Sequence, residues 1–313
     1  MSEVLEQQTL SHTKRVRRVS IVTESACCLP PELARRYAID ILPIPYSLGD
    51  TEYRDGVDMT RAQFFDLLRT THARLRTSPP SVGDYLQAWR GAAERGEDAL
   101  TISVDGSIST MSRSTRLALR LAADALPAAR IRVVDSHSAG MGQGFVALAA
   151  ARLAATGAPL ETVAAEAERI ASRTRLVVAL DTLDYLARSS RIPQVAAIIG
   201  GMLSIRPVFA MSAGGLRVLG RPRTRGRSIA QVLDYLGACV PSGARLHAAV
   251  QHASAEREAA ALEQTLRGRY DCAELYTTEF TPVMGGYCGP GLLGVAFYHE
   301  LDDEPMQRDD SHA

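Results

Sequence analysis

The chain has 313 residues, 46% of them hydrophobic, enough to build two domains with full cores. Lysine plus arginine total 35, matching aspartate plus glutamate, so the formal net charge is zero. A nucleic-acid binder would carry a basic stripe, so this balance argues against nucleic acid as a partner. No stretch approaches the roughly 20 apolar residues of a membrane span, which argues against stable membrane insertion.

The positive charge is almost all arginine, which with the alanine-rich segments suggests a GC-rich bacterial genome. The five cysteines (Cys27, Cys28, Cys239, Cys272 and Cys288) form no C-x-x-C pair and read as small buried hydrophobes of a reducing cytoplasm. Residues 1–17 are polar and lack the apolar core of a secretory signal, so they are expected to be a disordered tail, as are the acidic residues 302–313.

In chain order, the β-branched run from Arg18 to Thr23 predicts the first strand. Pro30 and Pro31 open a helix to about Tyr37. Ile39 to Tyr46 reads as a second strand, which Pro43 and Pro45 push toward an edge. Thr60 caps a helix through Leu68, and Ser81, with Asp84 three residues on, caps the next. Ala99–Val104 is a short buried strand and Ser109–Leu126 a helix, with Leu117, Leu121 and Ala125 on one face. Ile131–Asp135 is a strand, and a long helix follows from about Gly140. This alternation predicts an α/β fold with a largely parallel sheet in residues 18–156.

The pattern then changes. Pro159–Ser172 is a helix and Leu176–Leu180 a strand. Ser204–Ala210 and Leu216–Leu219 flank Gly214-Gly215 as a hairpin. A helix from Ser228, a strand Leu246–Val250, a helix from Ser254, and strands near Ala273–Thr277 and Leu293–Tyr298 complete residues 157–301. These predict a second α/β domain with a mixed sheet.

Catalytic signatures are missing. There is no phosphate-binding G-x-x-x-x-G-K-[ST], no H-E-x-x-H and no G-x-S-x-G. His252-x-x-x-Glu256 reads as a strand-end histidine beside a surface helix, and no metal site is expected. Gly140-Met141-Gly142-Gln143-Gly144 follows a strand but is not G-x-G-x-x-G, so close strand-to-helix packing explains it better than a dinucleotide.

Hydroxyl-rich turns precede three helices. They are Thr77-Ser78-Pro79-Pro80-Ser81, the set Ser103, Ser107, Ser109 and Thr110 around Gly106, and Ser136 with Ser138. In an open parallel sheet such loops gather at the carboxyl ends of the strands. Each serine could be an N-cap alone. Three such loops in succession suit an anion, a carboxylate or a phosphate, held by hydroxyls and helix-start N–H groups.

Several segments resemble the DegV family of bacterial lipid-binding proteins. Val22-Thr23-Glu24-Ser25 resembles its opening I-V-T-D-S, and Thr77-Ser78-Pro79-Pro80-Ser81 its T-S-Q-P-S loop. Val134–Gly142 resembles its V-D-S element, and Leu180–Leu186 followed by Arg191-Ile192 its L-D-T-L-E-Y-L segment. Arg206-Pro207 and Gly289–Gly294 resemble its K-P-I strand and closing G-P-G-A-L-G. The resemblance spans about Val19 to Tyr298.

It implies two α/β domains with a ligand tunnel between them and a long-chain fatty acid buried there. The carboxyl group would be held among Thr23, Ser25, Thr77, Ser78, Ser107, Ser109, Thr110, Arg191 and Tyr287. It implies a carrier without chemistry of its own or a cofactor, presenting the fatty acid to a separate fatty acid kinase. Two departures stand out. Ile108 and Ser109 replace a glycine and a threonine of the family's S-G-T stretch. Tyr287 replaces its histidine, and a tyrosine can donate a hydrogen bond but cannot carry positive charge. Gly285 and Gly286 are expected to leave the backbone before Tyr287 flexible.

Two further readings stand beside the carrier. One is a small-molecule hydrolase or phosphotransferase using Ser107 with a carboxylate such as Asp135. The other is a dinucleotide-dependent enzyme built on the Gly140 loop.

Overall fold

The computed structural model describes residues 17–71, 73–188 and 205–300. β1 (Val19–Glu24) is buried along its whole length, as a central parallel strand must be. Pro31 starts α1 (Pro31–Arg36), where its missing N–H is not needed. The single strand expected over 39–46 is two. β2 (Ile39–Leu42) pairs in parallel with β1, whereas β3 (Pro45–Leu48) joins a different sheet. Pro43 and Pro45 cause the break, since neither can donate to a ladder. Between them, Ile44 N–H turns to the Ser25 Oγ at 3.2 Å.

β4 (Thr51–Arg54) pairs antiparallel with β3. α2 (Arg61–Thr70) follows, then β5 (Leu75–Thr77), which pairs with the other edge of β3. This three-stranded sheet, order β4-β3-β5, was not predicted. α2 and α3 (Val82–Glu94) both open with full capping boxes, Thr60 with Gln63 and Ser81 with Asp84. β6 (Asp98–Ser103), α4 (Met111–Ala125) and β7 (Ile131–Asp135) complete an all-parallel sheet of order β2-β1-β6-β7. The Leu117/Leu121 face of α4 points outward, with these side chains 42% and 45% exposed. Ala118 and Ala122 face inward instead, because bulky Tyr85 and Trp89 of α3 fill that side and leave room only for small neighbours.

α5 (Met141–Ala155) is apolar on every side, and each residue from Met141 to Ala151 is buried. A helix of that kind belongs inside. α6 (Leu160–Arg173) lies beside it, followed by β8 (Arg175–Ala179), α7 (Asp184–Arg188), β9 (Val208–Ser212) and β10 (Gly215–Gly220). The expected hairpin at Gly214-Gly215 is present. Then come α8 (Arg225–Cys239), β11 (Leu246–His252), α9 (Glu256–Arg269), β12 (Cys272–Glu279), α10 (Pro282–Cys288) and β13 (Leu293–His299). The second sheet has the order β10-β9-β8-β13-β11-β12 and is antiparallel except between β11 and β12. It is mixed, as predicted.

α5 packs on β1 and β6 of the first sheet and on β8 and β13 of the second, so it forms, with α6, the layer between them. α3 and α4 cover the outer face of the first sheet, and α8 and α9 that of the second. Cys27 and Cys28 are buried, whereas Cys239, Cys272 and Cys288 are half-buried, and all five are free thiols. No helix among the described residues is long and apolar enough to cross a membrane.

Candidate functional site

A cavity of about 420 Å³ lies between the two sheets. The loop after β6 and the start of α4 supply Val104, Ile108 and Met111. The second sheet supplies Leu176, Val178, Phe209, Met211 and Leu216, and the segment through α10 adds Phe280, Val283 and Met284. Four lining side chains carry hydroxyls, Thr77, Ser107, Ser109 and Tyr287, and none is charged among the described residues. This volume lies within the usual range of roughly 300–1,000 Å³ for ligand sites, and the apolar walls with few polar groups are their ordinary composition.

The hydroxyls come from three elements that the fold draws together. Thr77 ends β5, and its Oγ1 lies 2.9 Å from the Tyr287 Oη in α10. Ser114, in the first turn of α4, donates to the Pro80 carbonyl at 2.9 Å and ties the loop after β5 to the start of α4. Ser109 Oγ accepts from Met111 N–H at 3.2 Å, so this loop ends at the positive end of the α4 dipole. Ser107 is exposed, which opens this part of the cavity to solvent.

α10 replaces the flexible backbone expected at Gly285 and Gly286. A Cβ on Gly285 would come within 2.5 Å of Phe65 Cζ, and one on Gly286 within 2.7 Å of Phe64 Cζ. The two glycines therefore let α10 press against α2, and this contact sets Tyr287 in place.

Four other hydroxyls of the sequence reading lie away from the cavity. Thr23 Oγ1 donates to the Ile102 carbonyl at 2.8 Å and accepts from Gln143 Nε2 at 2.9 Å inside the first sheet. Ser25 Oγ donates to Asp55 Oδ2 at 2.6 Å. Ser78 and Thr110 are exposed, and Thr110 precedes α4 without a side-chain cap. Arg191 lies outside the described residues.

The geometry offers little to a nucleophile. Asp135 accepts from Gly106 N–H at 3.0 Å through Oδ2 and from His137 N–H at 2.8 Å through Oδ1, so both oxygens hold backbone. Among the described residues no histidine or carboxylate lines the cavity beside Ser107. Burial pushes the Cys288 thiol up to about 12, far above the range in which it would attack. The Gly140 loop packs against its own chain. Met141 N–H, at the start of α5, is taken by Gln251 Oε1 at 2.9 Å, and a Cβ on Gly144 would meet the Cys27 carbonyl at 2.9 Å. These glycines serve packing, as expected.

The cavity walls were not foreseen. Phe209 and Met211 alternate along β9 on one face, and in sequence that pattern is identical to a core strand. Only the gap between the sheets separates lining from core.

The family model described as uncharacterised protein, DegV family, matches residues 18–300. This chain belongs to the DegV family. A DegV domain-containing protein of Streptomyces coelicolor is 34% identical over 280 residues, covering 89% of this chain and 98% of that protein. One of Mycobacterium tuberculosis is 32% identical over 280 residues, covering 88% and 96%. The fold is shared with solved DegV proteins. One from Thermus thermophilus, described by its fatty acid binding, has a TM-score of 0.81 at 29% identity over 90% of this chain and 100% of that one. DegV of Bacillus subtilis, described as a fatty acid binding protein, has a TM-score of 0.81 at 25% identity over 91% and 100%.

Proposed function

We propose that this DegV protein binds a long-chain fatty acid with its acyl chain in the cavity and its carboxylate at Thr77, Ser107, Ser109 and Tyr287, and presents that carboxylate to a fatty acid kinase. The observation that carries the reading is an uncharged apolar cavity whose lining includes four hydroxyls, the Thr77–Tyr287 pair and, before α4, Ser107 and Ser109. Each buried methylene contributes about 0.8 kcal/mol, so about fifteen offer roughly 10 kcal/mol before ordering and association costs. The carboxylate still needs partners, since a buried unpaired charge is costly. Hydroxyl donors and the α4 dipole meet that need without a cation or cofactor. The exposure of Ser107 suits a head group that another protein must reach. The description of two solved relatives as fatty acid binding supports the same ligand.

Native mass spectrometry before and after organic extraction is expected to show one acyl chain per protein. Tyr287→Phe and Ser107→Ala should each weaken binding about tenfold or more, since a hydrogen bond to a charged acceptor is worth about 1.5–3 kcal/mol. No bound lipid and no uptake of added fatty acid would overturn the reading. Wild-type affinity in both variants would move the head group elsewhere. Kinase presentation is tested by adding a fatty acid kinase and ATP, with acyl phosphate expected only when this chain is present.

A further inference from the structure

His252 ends β11 and Glu279 ends β12, and the parallel pairing of these strands makes them direct partners. Paired residues project from the same face of a sheet. Ser254, at φ +49°, turns the chain back after β11, and Glu256 then opens α9. One imidazole and two carboxylates converge in this way, with a ligand atom from each within 4.8 Å of the others. His252 is 6% exposed, Glu279 half-buried and Glu256 exposed, so the cluster has a buried floor and an open side.

These groups are not committed elsewhere. Among the described residues neither carboxylate makes a hydrogen bond or an ion pair. Ala255 N–H is 3.5 Å from His252 Nδ1, at the outer limit of a hydrogen bond. The nearby cation, Arg61, donates to Thr278 Oγ1 at 3.2 Å and to the Glu279 backbone carbonyl at 2.6 Å, not to a carboxylate.

We propose that His252, Glu256 and Glu279 bind one divalent transition-metal ion of the zinc type, with water completing its coordination. One imidazole nitrogen with two carboxylate oxygens is a borderline donor set that suits zinc, and three protein ligands with an open position is a common arrangement for it. Bonds of about 2.0–2.2 Å require donors roughly 3.3 Å apart, and the exposed Glu256 is free to close the difference. The ion would act next to the cavity wall. Phe280, which lines the cavity, directly follows Glu279, and its N–H donates to the His252 carbonyl at 2.7 Å. A metal there would pin the start of the segment that carries Val283, Met284 and Tyr287. The proposal does not depend on the identity of the cavity's ligand.

The test is calorimetric titration of the chelator-stripped full chain with zinc chloride alone, with bound zinc counted by elemental analysis. One ion per chain is expected, with affinity lowered about tenfold or more in Glu256→Gln and in Glu279→Gln. Glu256 is exposed, so Glu256→Gln leaves the fold intact, which circular dichroism verifies. A chain that takes up no zinc overturns the proposal. So does uptake that is unchanged in both variants, because the ion would then sit on other histidines or on cysteines.

Discussion

Asp55 sets burial against charge. Its side chain is 2% exposed, Oδ2 accepts from Ser25 Oγ at 2.6 Å, and Oδ1 has no hydrogen-bond partner among the described residues. Burial outweighs the Ser25 bond and pushes its pKa up to about 6. In the unfolded chain an aspartate titrates near 3.9. Between these values the folded state holds a proton that the unfolded state has released, so stability falls as pH rises through about 4 to 6. Above that window the cost is on the order of 3 kcal/mol. Asp55→Asn keeps an acceptor for Ser25 and removes the charge. Urea unfolding should show it more stable than wild type at pH 7.5 by about 1–3 kcal/mol, with the gap closing toward pH 4. An equal gap at both pH values would remove the charge as the cause. Asp55 also explains why Ser25 is not on the cavity: its hydroxyl is spent on that carboxyl.

α5 and the turn before it show how a glycine run is used. Gly140 has φ +56° and ψ −146°, a region essentially closed to other residues, and a Cβ there would lie 2.7 Å from Gln251 Oε1. That oxygen accepts Met141 N–H, so Gly140→Ala strains the backbone and displaces the group that satisfies the helix start. The expected loss is about 2–4 kcal/mol, from strain of about 1–3 and one hydrogen bond of about 1. Gly157, at φ +83° with open space around it, separates the two effects. Gly157→Ala should cost only about 1–2 kcal/mol, the price of a left-handed residue. Denaturant midpoints measure both, and equal losses would refute the cap-displacement argument. Local chemistry made many elements legible beforehand: Thr60 and Ser81 start α2 and α3 as read. The 39–46 segment reads as one strand but forms two, because strand propensity cannot say which sheet a strand will join. The short β4 and β5 carried too few residues to show a period.

The cavity draws its walls from both sheets, so its ligand should couple the two halves of the molecule. Trp89 is the single tryptophan, fully buried on the outer side of the first sheet, with Nε1 donating to Thr101 Oγ1 at 2.9 Å. It does not line the cavity. Fatty acid at about one hundred times its Kd should add about 2.7 kcal/mol to stability. The thermal midpoint reported by Trp89 fluorescence should then rise by about 5 °C or more. If far-UV circular dichroism shifts while the Trp89 midpoint stays in place, the halves unfold separately and the coupling is refuted.

The sequence by itself determined the alternation of elements, the capped helix starts, the parallel and then mixed sheets, and the hydroxyl-rich loops that follow β6 and β7, whereas the Thr77 loop follows β5 of the separate antiparallel sheet. These signals act over a few residues: a proline blocks a ladder, a serine caps the N–H three residues on, and apolar spacing marks a buried face. The tertiary structure alone decided which hydroxyls face the cavity. Thr23 and Ser25 look no different from Thr77 in sequence, yet they are consumed by Ile102, Gln143 and Asp55. Thr77 meets Tyr287 across 210 residues, and Glu279 comes beside His252 through strand pairing. Contacts between residues so far apart depend on how sheets and helices pack, and the residues around each partner carry no local mark of it.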